Sequence, residues 1–218
     1  MTSLLILGAG GHGKVVADAA LACNCWREIA FLDDRSEVLR DVLGCPVVGV
    51  FDSLGAWTAR FSHAVVAVGS GRTRIDLIQT ATQFGFIVPT IVHPHSTVSP
   101  FAVMSPGTVV MAGAVVNADA VVGPGGIINT AATIDHDCRL EAGVHVCPGA
   151  HLAGGVTVGA RSWIGIGASV KQGARIGCDV TVGAGATVID DVPDGLIVVG
   201  TPARPLARAA TNATKLSR

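Results

Sequence analysis

From Val92 to Pro193 the apolar positions of this chain recur every six residues. One series runs Val92, Val98, Met104, Val110 and so on to Val182 and Val188, aliphatic at every step. Four places after each stands a compact residue, from Ser96, Ala102 and Thr108 to Ala186 and Val192. A helix repeats near 3.6 residues and a simple strand at 2, so neither accounts for this pattern. A sustained hexapeptide period predicts a parallel β-helix.

With each hexad numbered 1 to 6 from its aliphatic residue, positions 5 and 1 share one side of a strand and build the core. Position 6 between them points outward. Positions 2 to 4 make the corner. Position 4, from Phe101 to Asp191, holds nine Gly and four Asp, types that tolerate left-handed backbone angles. A corner every six residues gives a three-sided prism of 18 residues per turn, with turns about 4.8 Å apart. The outward position begins Val103, Val109, Val115, Val121, Ile127, and these valines need cover from the rest of the chain or from neighbouring subunits.

Ahead of the repeat the pattern changes. Leu4 to Leu7 read as a buried strand, the glycine loop Gly8 to Gly13 follows, and Lys14 to Leu21 read as a helix. Glycines let a backbone approach phosphate, and a helix N-terminus offers free N–H groups. A second strand, Ile29 to Leu32, ends at Asp33-Asp34, about the spacing expected for a ribose-hydroxyl acceptor. A third, Ala64 to Val68, ends at Gly69, and a helix carrying Arg72 and Arg74 follows to about Phe84. About 90 residues are too few for a full dinucleotide fold, so a single nucleotide or a nucleotide-linked sugar fits better. His12 in the loop either contacts a phosphate or caps the helix. The division expected is 1–90 α/β, 91–203 β-helix and 204–218 a basic tail holding Arg204, Arg208, Lys215 and Arg218.

Composition narrows the partners. The 218 residues carry a formal net charge of -1, which gives no electrostatic case for nucleic acid. Mean hydropathy is +0.56, but Gly, Ala and Val of the repeat account for it, and no apolar run approaches the ~20 residues of a membrane span. The first residues lack a basic n-region and a cleavage signal, and six cysteines without a C-x-x-C pair read as reduced thiols, so a cytoplasmic protein is expected.

Candidate chemistry sits at the corners. His136 is the only histidine at position 3, where it packs no core and favours no turn. Asp137 beside it, at position 4, is either a partner or a turn former. Gly154 holds position 3 one 18-residue turn later, although the turn glycine of its hexad is Gly155. A base stacked on an exposed backbone N–H suits acyl transfer. His145 and His151 occupy position 6 on successive faces and diverge, so no metal site is expected. His145, half a turn from His136, would meet it only across a boundary between two prisms.

G-A-G-G-H-G, F-L-D-D, I-N-T, I-D-H-D-C, A-G-G and V-x-G-x-P-A-R together resemble the NeuD/PglD-type bacterial sugar acyltransferases over nearly the whole chain. The resemblance implies a Rossmann-like N-terminal domain, a left-handed β-helix, a homotrimer, and acetyl-CoA bound between adjacent β-helices. It implies His136 as general base and Asp137 as its acidic helper. His145, Gly154, Ile166 and Ala184 match positions that contact acetyl-CoA. Gly10, Gly11, His12, Asp33, Asp34 and Gly69, with Asn129 nearby, match the nucleotide-sugar pocket. Where Asp137 stands, family members often carry Glu.

The expected activity is N-acetylation of the 4-amino group of a nucleotide-activated 4-amino-4,6-dideoxy sugar, UDP-linked or of the GDP-perosamine type, for surface glycan synthesis. O-acetylation of a sugar of the sialic-acid type, or nucleotide-sugar binding without catalysis, are the alternatives.

Overall fold

The computed structural model describes residues 2–206, so Arg208, Lys215 and Arg218 of the expected basic tail lie outside the described residues. The chain opens with β1 (Thr2–Leu7), α1 (Gly11–Ala22), β2 (Trp26–Leu32), β3 (Asp41–Val42) and β4 (Cys45–Gly49). A 3-10 helix (Phe51–Trp57), β5 (His63–Val66) and α2 (Gly71–Gln83) follow. The sheet order is β3-β4-β2-β1-β5, parallel except for β3 against β4. Central β1 is covered on both faces, which is why Leu4 to Leu7 form an unbroken apolar run. At its end Gly8 adopts φ 108°, and a Cβ on Gly13 would stand 2.0 Å from the Gly8 carbonyl oxygen. Glycine at both places lets α1 start directly against the strand end.

The β3–β4 hairpin is absent from the sequence expectation for a physical reason. Its two-residue turn is Leu43-Gly44, with φ of 54° and 74°. Leucine is not a residue that announces a left-handed turn.

From Ile91 onward the chain forms two-residue strands paired in parallel 18 positions apart, as in Val115↔Thr133 and Ile127↔His145. They wind as a left-handed parallel β-helix. Face one carries Ile91, Val109, Ile127, His145, Trp163 and Thr181, face two Thr97 to Thr187, and face three Val103 to Arg175. From Gly107 to Gly185 every position-4 residue has φ between 53° and 72°, including Ala131 and Arg161. Positions 1 and 5 fill one continuous core from Val110 to Val198. The final coil is shortened, pairing Thr181 with Ile197 and closing with the hairpin Ile197–Val199 and Arg204–Pro205.

The α/β part lies against face one, and Ile91, Val109, Met111 and Ile127 join Leu4, Val16 and Ala20 in one buried cluster. Helix α2 runs along the corner between faces three and one. A Cβ on Gly125 would come within 2.8 Å of the Ile78 side chain, so glycine corners let the helix settle. Arg74 of α2, fully buried, pins the junction. Its guanidinium donates to the carbonyls of Val68 (2.8 Å), Gly69 (2.9 Å), Gly125 (2.7 Å) and Gly143 (2.6 Å). Apolar residues remain outward at the start of face three, with Phe101 and Val103 71% and 55% exposed.

Candidate active site

His136 stands at the corner between faces two and three, with its ring in water. Its Nδ1 lies 2.7 Å from Asp137 Oδ2. Asp137 has φ 60°, so this one residue both turns the corner and holds the imidazole. The hydrogen bond to Asp137, then the charge of Asp135, raise the His136 pKa above its ordinary value. Asp135 Oδ1 accepts from the His136 backbone N–H (2.8 Å) and from Asn117 Nδ2 (2.9 Å) in the coil above.

One coil below, Gly154 packs against the free edge of the ring. A Cβ there would sit 2.5 Å from His136 Nε2, so any side chain would displace the imidazole. Gly154 does not need glycine for its backbone angle; Gly155, with φ 70°, makes the turn. The Gly154 carbonyl accepts from Gly173 N–H, while its own N–H has no partner among the described residues. The thiol of Cys138 donates to the Ala153 carbonyl at 3.2 Å, fixing the peptide plane that carries the Gly154 N–H. Beside this corner a groove of about 390 Å³ runs down face two, lined by Asn117, Thr133, Asp135, His151 and Ser169 among others.

A second group lies on face one beneath the glycine loop. His145, at an outward position of the repeat, is only 7% exposed. Its Nε2 meets Asn129 Nδ2 at 3.0 Å, and its ring lies 4.2 Å from that of Trp163 and 6.1 Å from that of His12. His145 Nδ1 and His12 Nε2 are both buried without a hydrogen-bond partner among the described residues. Burial, then the charge of Arg74, pushes His12 down to about 4, and burial, then the charges of His12 and Arg74, pushes His145 down to about 3. Both imidazoles are therefore neutral at pH 7.

This pair is expected to make the protein acid-sensitive. The folded pKa values lie below 6.5, so the unfolded chain binds more protons at acid pH and stability falls as pH drops from 6.5 toward 4. The loss amounts to roughly 3 kcal/mol apiece by the end of that range. Denaturant unfolding at pH 7, 6, 5 and 4.5 checks this: His12→Gln with His145→Gln is expected to flatten the decline. An equal slope in the double variant would refute it.

Around the glycine loop a groove of about 360 Å³ is lined by Gly10, Gly11, Lys14, Arg35, Asp41 and Leu43 among others. Asp33 does not offer the free ribose acceptor that its spacing suggested. Its Oδ1 accepts from Arg35 Nε (2.7 Å) and N–H (3.0 Å), and its Oδ2 from Ala9 N–H and Arg35 Nη2, both at 2.8 Å. The Arg35 guanidinium, then these backbone donors, hold the carboxyl well below the usual carboxylate range despite some desolvation. Asp34 accepts from Phe51 N–H at 3.1 Å. The side chain brought to the groove is Arg35, within 3.9 Å of a Cβ built on Gly10. Sequence spacing singles out the acid; only the fold shows it spent on its neighbour.

Ile166 and Ala184, both exposed, stack one above the other at the corner between faces one and two, below Asn129. His136 is at the opposite edge of face two. Within one chain the His136 corner and the Asn129–His145 edge therefore do not meet. Gly69 lends its carbonyl to Arg74. Arg204 reaches Asp190 at 3.4 Å. All six cysteines are free, and among the described residues no group of three or more His, Cys, Asp or Glu is placed to hold a metal ion. No helix among them is long and apolar enough to cross a membrane.

Residues 3–81 match the PglD N-terminal domain family. The acetyltransferase domain of PglB from Neisseria gonorrhoeae FA1090, solved with acetyl coenzyme A, is 48% identical over 94% of this chain and 99% of its own, with a TM-score of 0.91. A variant of perosamine N-acetyltransferase from Caulobacter crescentus, solved with CoA and GDP-perosamine, is 40% identical over 95% and 98% of the two chains, with a TM-score of 0.91. WeeI from Acinetobacter baumannii AYE is 25% identical over 94% and 100%, with a TM-score of 0.83. Among curated proteins no sequence matches.

Proposed function

We propose, from the premise that this chain belongs to the PglD-type family of sugar acyltransferases, that it N-acetylates the 4-amino group of a nucleotide-linked 4-amino-4,6-dideoxy sugar with acetyl-CoA. The observation that carries the proposal is His136, bonded through Nδ1 to Asp137 and packed through its Nε2 edge on Gly154. With Asp137 accepting the Nδ1 proton, the Nε2 lone pair is free to act as a base. The amine nitrogen attacks the thioester carbon, a C–N bond forms and the C–S bond breaks. His136 takes the proton lost by nitrogen and returns one to the departing thiolate. The Gly154 N–H is placed to meet the oxygen on which negative charge develops.

Asp137 is shorter than the Glu common in the family, yet 2.7 Å is full hydrogen-bonding distance, so the shorter side chain suffices here. We place acetyl-CoA along Ile166 and Ala184, with His145 at the upper end. The nucleotide belongs to the groove at Gly10, Gly11 and Arg35, and the sugar extends toward His12 and Asn129.

A homotrimer completes this site. The His136 edge and the Asn129–Ile166–Ala184 edge bound the same face, and a three-fold arrangement sets one edge of each copy against the other edge of its neighbour. The exposed Phe101 and Val103 are suited to such burial. Six free thiols fit a cytoplasmic reaction. The product, an activated acetamido sugar, is the kind of donor that glycosyl transfer to a surface glycan consumes.

The test is thiol release from acetyl-CoA by purified protein with UDP-, GDP- and dTDP-linked 4-amino-4,6-dideoxy sugars, with sialic acid as the hydroxyl acceptor. Turnover with one of the amino sugars is expected. Release with none of them would end the proposal, and release with sialic acid alone would replace it with O-acetylation.

A further inference from the structure

We propose that Asp135 is a positioning residue for His136, an inference that rests on His136 being the base. Asp135 occupies position 2 of the hexad, beside the corner. One oxygen, Oδ1, accepts from two donors: the backbone N–H of His136 at 2.8 Å and the amide of Asn117 at 2.9 Å. Asn117 is one coil above, 18 residues earlier. The carboxylate therefore ties the backbone that carries the base to the preceding rung of the prism.

Asp137 fixes the ring from the other end, through Nδ1. Gly154 closes the third side, since a Cβ there would meet the ring at 2.5 Å. The ring is otherwise exposed and packs no core. Its height over the Gly154 N–H is thus set by the two aspartates rather than by side-chain packing. The reaction of an amine held at the base with a thioester held at the oxyanion donor is sensitive to that height.

Asp135 also acts through its charge. The acidic groups around the ring are Asp135 and Asp137 on its own corner and Asp119 at the corner above, and His151 shares the face-two groove with Asp135. Gly154 and Gly155 beneath carry none, and Arg139 and Lys171 are exposed on the next strand and two coils down. The two flanking carboxylates raise the proton affinity of His136. Neutralising Asp135 lowers it. Because the base must be neutral to work, the acid limb of the rate then moves to lower pH.

Steady-state kinetics and pH profiles of kcat/KM separate the two actions. Asp135→Ala is expected to lose ~10–100-fold in kcat, with little change in KM and an unaltered Tm. Asp135→Asn keeps an oxygen on both donors, so it is expected to retain most of the turnover lost in the Ala variant while its acid limb moves below that of the wild type. Added to His136→Ala, Asp135→Ala is expected to cost nothing further, since a residue acting only through the base has no effect once the base is gone. Unchanged kcat in Asp135→Ala, or an unmoved acid limb in Asp135→Asn with loss tracking Tm, overturns the proposal while leaving the base intact. Wild-type turnover in His136→Ala overturns the base assignment itself, and full additivity in the double variant overturns only the coupling claimed here.

Discussion

His136→Ala is expected to lower kcat/KM by ~10²–10⁴ while the chain keeps its fold and melting temperature. The kinetic loss follows from removing the one imidazole that faces an unpartnered backbone N–H at this corner. Stability is spared because the side chain is 63% exposed and contributes nothing to the core between positions 1 and 5. Gly154→Ala approaches the same centre from below: its Cβ would lie 2.5 Å from Nε2 and push the ring off the reacting atoms. That clash is with the far end of an exposed side chain, so the prism tolerates it. A substantial kinetic loss in Gly154→Ala at unchanged Tm is therefore expected. Thiol-release kinetics beside thermal denaturation measure both variants. A His136→Ala enzyme that turns over normally removes this corner from the chemistry, and a loss that accompanies unfolding makes His136 a structural residue.

The prism was legible in the sequence because each of its rules acts within one hexad. A core needs aliphatic and compact residues at fixed spacing, and a left-handed corner favours Gly or Asp. The same rules exposed their exceptions, so His136 and Gly154 stood out as residues that no corner requires. Asp137 remained ambiguous because its two roles use different atoms. The backbone sits at φ 60° while Oδ2 binds the imidazole, and a sequence reports only the residue type.

What stayed hidden was every contact between distant segments. His145 looks like any outward strand residue until α1 is laid over face one and brings His12 to 6.1 Å. Asp33 sits where a ribose acceptor belongs, yet Arg35, two residues on, and the Ala9 amide occupy it. Arg74 reads as an ordinary helical arginine, and its four acceptors are backbone carbonyls, which leave no trace in side-chain identity.

Arg74→Met is expected to cost about 3–5 kcal/mol in unfolding free energy and to loosen the α/β part from the prism. Methionine fills much of the volume but donates nothing. The carbonyls of Val68, Gly69, Gly125 and Gly143 would each lose a charged donor. An orphaned buried acceptor costs about 1–3 kcal/mol. Part of that sum is recovered, because the variant no longer buries a guanidinium that has no carboxylate partner among the described residues and whose pKa burial has lowered to about 10. The net sign still favours arginine, since its bonds reach both sides of the junction: Val68 and Gly69 follow β5, and Gly125 and Gly143 are stacked corners of the prism. Arg74→Lys supplies donors from one nitrogen instead of a planar fork and is expected to fall between the two. Urea unfolding gives the stabilities, and the KM for nucleotide sugar reports the docking, because the glycine loop and the Asn129–His145 edge are held together by this junction. Arg74→Met within about 1 kcal/mol of wild type would mean that water satisfies those carbonyls, and that the apolar cluster of Ile91, Val109 and Ile127 alone keeps the two parts in register.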